Sequence, residues 1–323
     1  MDRHFERSLC FGSGIPFAFL TVLISVPNII ILIVFYRNPL RCFRKAFSVF
    51  LVFVAALDLF NGIVVSFGET VMRFLCAFDD ESVPRDGDNI KILGYIGVNS
   101  SIILVTAMSV DRFLAVTFPH FHLRTVTPKK VVICNIAIVV FSTIFSLLQL
   151  IKQVPMDIYL NIDIHLHTTF PLVTTALAYL GILFALKKRA RIDVQRQTAM
   201  PNNSTLHDMR RVRMAQMERK FASTSFLILL FIILSLIPYF VAIIIEVNCP
   251  SCGNQNWFFV LRESCVVFLF LNSAVNPFLT TFRINELKQS VRIVLHLRQL
   301  DNAIGLGDLV SNSQNSLANV LSM

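Results

Sequence analysis

Seven long apolar stretches divide this chain of 323 residues, and they constrain its fold more than any other feature. A helix needs roughly 20 apolar residues to cross the ~30 Å hydrocarbon layer, and only helices or closed barrels satisfy their backbone groups there. The alternating ten-residue segments typical of a barrel are not seen. We therefore predict an all-α membrane protein, a seven-transmembrane helix bundle. Its helices run from Ile15 to Tyr36, Phe47 to Met72, Asn89 to Val116, Val131 to Ile151, Thr168 to Leu186, Phe221 to Val247 and Asn256 to Phe282.

Lys and Arg predict how this bundle lies in the bilayer. They concentrate in the segments that join helices 1 to 2, 3 to 4 and 5 to 6, and such segments are normally cytoplasmic. The N-terminus is then extracellular and the C-terminus cytoplasmic, as in a multi-pass protein of the plasma membrane. The net charge of +9 follows mostly from this topology. A nucleic-acid partner is not expected, because stacking aromatics are not interleaved with the basic residues.

The same interpretation divides the chain into four parts. Residues 1–14 are an extracellular N-terminus, and residues 15–282 are the bundle embedded in the lipid bilayer. Residues 283–298 form a short amphipathic helix 8, with Leu287, Val291 and Val294 among the apolar residues of one face. Residues 299–323, rich in Asn, Ser and Gly, are predicted to be a disordered cytoplasmic tail.

Two cysteines lie close together in the predicted loop between helices 6 and 7. Cys249 and Cys252 are three positions apart on the extracellular, oxidising side, where disulfides form. They could close a small loop with one another, or either could pair with Cys10, Cys76 or Cys265. Spacing alone leaves the connectivity open.

A carboxylate lies in the middle of predicted helix 2. Asp58 at this depth costs several kcal/mol unless it is paired or functional. Carboxylate, hydroxyl and amide oxygens together suit a small hard cation such as sodium. A purely structural hydrogen-bonded network explains the same residue types equally well. The partners predicted at similar depth are Asn28, Ser101, Asn272 and Asn276.

A second charged group ends predicted helix 3 on the cytoplasmic side. Arg112 follows Asp111, and Glu218 begins helix 6 at the same level of the membrane. An arginine held by two carboxylates would form a latch between helices 3 and 6, although such charges also end many membrane helices for topological reasons alone. Pro238 and Pro277 each remove a backbone hydrogen bond, so they are candidate hinges in helices 6 and 7.

Taken in order, these residues resemble the rhodopsin-like (class A) G-protein-coupled receptors, from helix 1 to the helix that follows helix 7. Helix 5 keeps the family's eight-residue spacing between Pro171 and Tyr179. Leu236 stands where the family has a helix 6 tryptophan, and the family's usual cysteine near the start of helix 3 is missing. The matching motifs are Asn28, Leu57-Asp58-Leu59, Asp111-Arg112-Phe113, Pro171 with Tyr179, Pro238, and Asn272-Ser273-Ala274-Val275-Asn276-Pro277.

The resemblance implies a function for the chain as a whole. It implies that Arg112, with Asp111, Glu218 and Tyr179, meets a heterotrimeric G protein, and it admits arrestin as a further partner. It also implies that Asp58, Ser101, Asn272 and Asn276 form the family's sodium pocket. An enzyme is not expected, since no His, Asp and Ser cluster at one depth and His165 and His167 fall in the predicted loop from Val154 to His167.

The ligand is less constrained than the fold. Gly94 stands where amine receptors of the family carry an aspartate, so a peptide or a lipid is favoured over an amine. A basic peptide residue or an anionic lipid head would each find a partner, unless Glu69 and Arg262 neutralise one another or face water. A membrane transporter or channel, and a receptor-like protein that does not couple, are the alternative functions. The predicted ligand pocket comprises Glu69, Tyr95, Tyr239, Phe240, Glu246 and Arg262.

Overall fold

The structure, a computed structural model, describes residues 3–40, 46–78, 88–151, 153, 155–199, 231, 234–246, 248, 249, 251, 252, 255–283 and 285–295. Within these ranges all regular structure is helical. Six helices have the length and apolar composition to cross a membrane, and a seventh apolar helix is described over Leu234–Glu246. The predicted seven-helix membrane bundle is confirmed.

We number the helices in chain order. A short helix, Pro119–Thr125, lies between the third and the fourth of them and is left unnumbered. The bounds are α1 Arg3–Arg37, α2 Ala46–Phe78 with a π-helical segment Asn61–Ser66, α3 Asp88–Thr117, α4 Pro128–Leu147, α5 Met156–Asp163 continued by a π-helical segment Ile164–Thr169 and by Phe170–Ala199, α6 Leu234–Glu246, α7 Asn256–Arg283 and α8 Asn285–Leu295.

The interior of the bundle holds both polar and apolar side chains, while many large apolar side chains also lie on its outer surface. Helix α3 contacts α2, α4 and α5, while α1 contacts α2 and α7. Phe17 of α1 packs edge-on against Phe270 of α7 in the core. Large apolar side chains such as Phe19, Ile133 and Phe184 are more than 60% exposed. A surface of this kind is stable in lipid rather than in water.

Two helices begin earlier than predicted. Helix α1 begins at Arg3, so most of the predicted N-terminal segment is helical, and α5 begins at Met156 rather than Thr168. Pro155 immediately precedes α5, where its missing N–H costs nothing. Hydropathy missed this part of α5 because Asp163 and His167 lower the average, yet both side chains are buried against the bundle. The predicted loop from Val154 to His167 is therefore wrong.

Two disulfides lie at one end of the bundle. One joins Cys10 of α1 to Cys76 of α2, and the other joins Cys249 to Cys252 between α6 and α7. Cys265 is a buried free thiol. We call this end the disulfide end, and the opposite end, where α3 finishes, the Arg112 end.

Candidate functional site

At the Arg112 end, Arg112 is paired within its own helix. Its Nε donates to Asp111 Oδ2 at 2.9 Å, and its guanidinium carbon lies 4.0 Å from the centre of the Phe47 ring of α2. Asp111 is also within 2.7 Å of His122 Nε2 in the short helix. Arg112 is thus held by a carboxylate and an aromatic face, both of which favour a cation. Glu218, the predicted second partner, lies outside the described residues.

Tyr179 supports the same end from α5. Its side chain is buried and packs with Phe113 and Val116 of α3. The Phe113 ring lies directly over Gly181, where a Cβ atom would come within 2.4 Å of it. Glycine is therefore needed for α5 to approach α3 this closely. The hinge candidates Pro238 and Pro277 lie inside α6 and α7 as predicted, and Pro277 is buried.

Asp58 lies at the centre of the bundle with no exposed surface. Asn276 Nδ2 donates to one carboxylate oxygen at 2.9 Å, and Ser101 Oγ donates to the other at 3.3 Å. No described Arg or Lys pairs with this carboxylate. The donors are neutral, so they stabilise the negative charge without cancelling it, and the oxygen-rich set fits a small hard cation. Asn28 and Thr280 line a small cavity beside Asp58.

Asn272, the fourth residue of the predicted sodium site, is not brought to Asp58. It precedes Asn276 by about one helical turn, ~6 Å along α7. There it lines a separate cavity together with Thr106, Thr175 and Leu236, and its amide oxygen is buried without a hydrogen-bond partner.

Three of the predicted ligand-pocket residues gather at the disulfide end. The Tyr239 hydroxyl of α6 donates to the Tyr95 hydroxyl of α3 at 3.4 Å, and Phe240 packs in the same cluster. Tyr159 of α5 completes it, with its ring edge-on to Tyr95 at 6.1 Å. Sequence reasoning missed Tyr159 because it lay in the predicted loop.

Glu69 and Arg262 each have a partner that was not predicted. Glu69 pairs with Arg73 at 3.0 Å, and Arg73 also pairs with Glu263 of α7. Arg262 lies 3.8 Å from Glu246, with both side chains more than 30% exposed. The two predicted charges therefore do not pair with one another, because each lies nearer to a different opposite charge.

A further group of buried polar residues was missed altogether. Asn99 Nδ2 of α3 donates to Asp163 Oδ1 of α5 at 2.8 Å. His167 Nδ1 lies 3.0 Å from the same oxygen. Asp163 and His167 are four residues apart, so they share a helix face. That spacing, just before Phe170-Pro171, is the signal that could have found them.

A model of the seven-transmembrane receptor (rhodopsin family) matches residues 27–279 of the chain. The chain belongs to this family. Among curated relatives, the thyrotropin-releasing hormone receptor of Mus musculus is 21% identical over 248 residues, covering 65% of this chain and 61% of the mouse protein. The match therefore spans about three-fifths of that relative's length.

The range that matches the rhodopsin family contains nearly all the polar groups described above, and Thr280 lies just beyond it. Asp58, Arg112 and Asp163 all fall inside it, so the match covers both ends of the bundle. Cys10 lies before it, and α8 lies after it. The tie between α1 and α2 through Cys10 and Cys76 is thus built partly from a segment that the rhodopsin-family model does not cover.

Proposed function

We propose that the chain is a plasma-membrane receptor that binds an extracellular ligand at its disulfide end and activates a heterotrimeric G protein at its Arg112 end. The orientation is supported by the basic loops, which belong in the cytoplasm, and by the disulfides, which form outside it. The observation that carries the proposal is the geometry of Arg112. This arginine lies in the last two turns of α3, paired with Asp111 and stacked on Phe47.

In this arrangement the Arg112 guanidinium is held by Asp111 and the Phe47 ring, and it is not available to a G protein. To meet a G protein, its guanidinium must leave Asp111 or the Phe47 ring, which costs free energy in a partly buried site. A ligand that binds better to the released state shifts the population toward it. Pro238 and Pro277 weaken α6 and α7 at points where either helix could bend during that change. Arrestin is proposed as a second partner of the same surface.

The test uses cells that express the receptor together with sensors of G-protein dissociation. Wild type is compared with Arg112→Ala and with Arg292→Ala, an exposed arginine of α8 that serves as the matched control. At equal surface expression, we expect basal signalling in wild type and Arg292→Ala and at least a tenfold loss in Arg112→Ala. Signals that match those of empty cells in all three would overturn the coupling and favour a receptor-like protein that does not couple.

We propose sodium as the occupant of the Asp58 site. The support is the uncancelled charge of Asp58, the neutral donors Asn276 and Ser101, and the adjoining cavity. A sodium ion bound here would contact α2, α3 and α7 together. By mass action it would stabilise the state in which these three helices surround it. Asn272 is not part of the site that we propose.

The sodium proposal is tested on purified receptor by its thermal unfolding midpoint in sodium chloride and in choline chloride. Sodium should raise the midpoint of wild type, and Asp58→Asn should abolish the rise. Ser101→Ala should weaken it, whereas Asn272→Ala should leave it unchanged. A rise that persists in Asp58→Asn would show that sodium acts elsewhere.

We further propose that the ligand is a peptide. The aromatic cluster of Tyr95, Tyr159, Tyr239 and Phe240 offers a large amphipathic contact surface. The mouse relative is by name a hormone receptor. Because Arg262 is paired with Glu246, it is less suited to hold the anionic head of a lipid.

A further inference from the structure

The buried acid Asp163 differs from the other acids at the disulfide end. Glu69 and Glu263 share Arg73, and Glu246 lies beside Arg262. The Asp163 side chain is only 8% exposed, yet no described Arg or Lys pairs with it. A carboxylate removed from water without a compensating cation is costly, so such groups usually mark a site of function.

The neighbours of Asp163 do not supply the missing charge. Asn99 contributes a neutral amide. His167 has no exposed surface, and neither of its ring nitrogens makes a hydrogen bond of good geometry. Its ring lies 4.9 Å from that of Phe145 and 6.0 Å from that of Phe141. Charging His167 would bury a second N–H without an acceptor, and a neutral His167 leaves the charge of Asp163 in place.

The surroundings of Asp163 suit an organic cation. Tyr95, Tyr159 and Tyr239 form one aromatic cluster on the helices that meet at this point. Tyrosine faces attract ammonium and guanidinium groups, and aromatic cages are a common means of holding them. Among the described residues no group of three His, Cys, Asp or Glu side chains could hold a metal ion.

The backbone around Asp163 is also unusual. Helix α5 changes from α to π geometry at Ile164, immediately after this acid. π-helical turns occur often at functional sites because they redirect a side chain. Asp163 lies seven residues into α5, roughly 10 Å from its start at the 1.5 Å rise of a helix. A basic side chain with a stem of four or five carbons covers most of that distance.

From these four observations we infer that Asp163 anchors the basic group of the ligand, a primary ammonium or a guanidinium. The tyrosines surround this group, and Asn99 positions the carboxylate. The inference rests on the proposed receptor function and deepens it, because it selects a peptide with a basic residue over an anionic lipid. It also places the anionic anchor on α5, opposite the side of the bundle that carries Arg73.

The test measures binding of n-pentylguanidinium to the purified full-length receptor in lipid nanodiscs. Its neutral control is n-pentylurea, which has nearly the same shape without the charge. The readout is the concentration-dependent rise of the thermal unfolding midpoint. We expect a saturable rise with the guanidinium and none with the urea. Equal responses to the two compounds would overturn the proposal.

Two variants locate the site. Asp163→Asn should weaken guanidinium binding at least tenfold, while Asp157→Asn, an exposed acid on the same helix, should bind as wild type does. Binding that is kept in Asp163→Asn, or lost instead in Asp157→Asn, would overturn the assignment.

A third variant keeps the test decisive if Asp163→Asn does not fold. His167→Gln retains a polar side chain but removes the one described partner of Asp163 that could compete as a cation. It should bind the guanidinium several-fold more tightly, and unchanged or weaker binding would contradict the proposal. No G protein is present in these measurements. Loss of G-protein coupling with guanidinium binding intact would therefore contradict only the proposed function. Loss of guanidinium binding with coupling intact would contradict only the assignment of Asp163 as the anchor.

Discussion

Two groups of buried charge lie at the disulfide end, and they are built in opposite ways. On the side of α1, α2 and α7, Arg73 pairs with Glu69 and Glu263, donates a hydrogen bond to Ser13 Oγ and lies 4.5 Å from the Phe17 ring centre. On the side of α3 and α5, Asp163 accepts a hydrogen bond from Asn99 and lies beside His167. Each acid of the first group contacts an arginine, whereas no described Arg or Lys pairs with Asp163.

The difference indicates separate roles for the two sides. A cluster in which each acid already contacts an arginine gains less from a cationic ligand, but it holds the helices that contribute to it. The nearby disulfide between Cys10 and Cys76 ties α1 to α2 at the same place. We therefore expect the Arg73 side to hold its helices in place, and the Asp163 side to contribute binding free energy when a cationic ligand is present. Three measurements test this division, and the largest effect is expected first.

Replacing Arg73 should have the largest effect on stability. Arg73→Leu leaves Glu69 and Glu263 together without their cation, and breaking a buried pair in this way costs about 3 kcal/mol. The thermal unfolding midpoint of the purified receptor should fall by several degrees. Asp163→Asn is the matched comparison, since it removes an unneutralised charge while keeping a polar side chain of the same size. Its cost should stay below about 1 kcal/mol.

If Asp163→Asn destabilises the receptor as much as Arg73→Leu does, the division is wrong. Asp163 would then stabilise the fold itself, and it would not be available to bind a cationic ligand.

Removing the disulfide should have a smaller effect than Arg73→Leu. The bond closes a loop of 66 residues, for which chain entropy predicts about 4 kcal/mol in a soluble protein. Because α1 and α2 remain inserted in the membrane when the bundle unfolds, less freedom is regained, and we expect about 2 kcal/mol. The measurement is the unfolding midpoint of Cys10→Ser, with the exposed Cys134→Ser as control. An unchanged midpoint would show that Arg73 alone holds this side.

The sequence predicted the bundle and its centre well, because these follow from local signals. Long apolar runs define helices in lipid irrespective of neighbours. Asp58, Ser101 and Asn276 could be placed together because polar groups at membrane depth must face inward, and they do form hydrogen bonds with one another. Asn272 could not be placed correctly, since a difference of one turn along α7 decides which cavity it lines.

The start of α5 could not be predicted for a different physical reason. Asp163 and His167 lower the hydropathy of the segment after Pro155, and a polar segment between two apolar runs usually indicates a loop. Whether such residues are solvated or buried depends on partners such as Asn99 of α3, which are distant in sequence. The pairing of Glu69 with Arg73 was predictable in principle from its four-residue spacing, but the contribution of Glu263 was not.

The proposed receptor function depends on whether the Arg112 end activates a G protein. The most direct measurement is nucleotide exchange on a purified heterotrimeric G protein, with the receptor reconstituted in lipid nanodiscs. Wild-type receptor should accelerate exchange over empty nanodiscs, and Arg112→Ala should reduce that acceleration at least tenfold while unfolding at a similar temperature. Equal exchange with wild type and Arg112→Ala, or none above empty nanodiscs with either, would contradict the central claim.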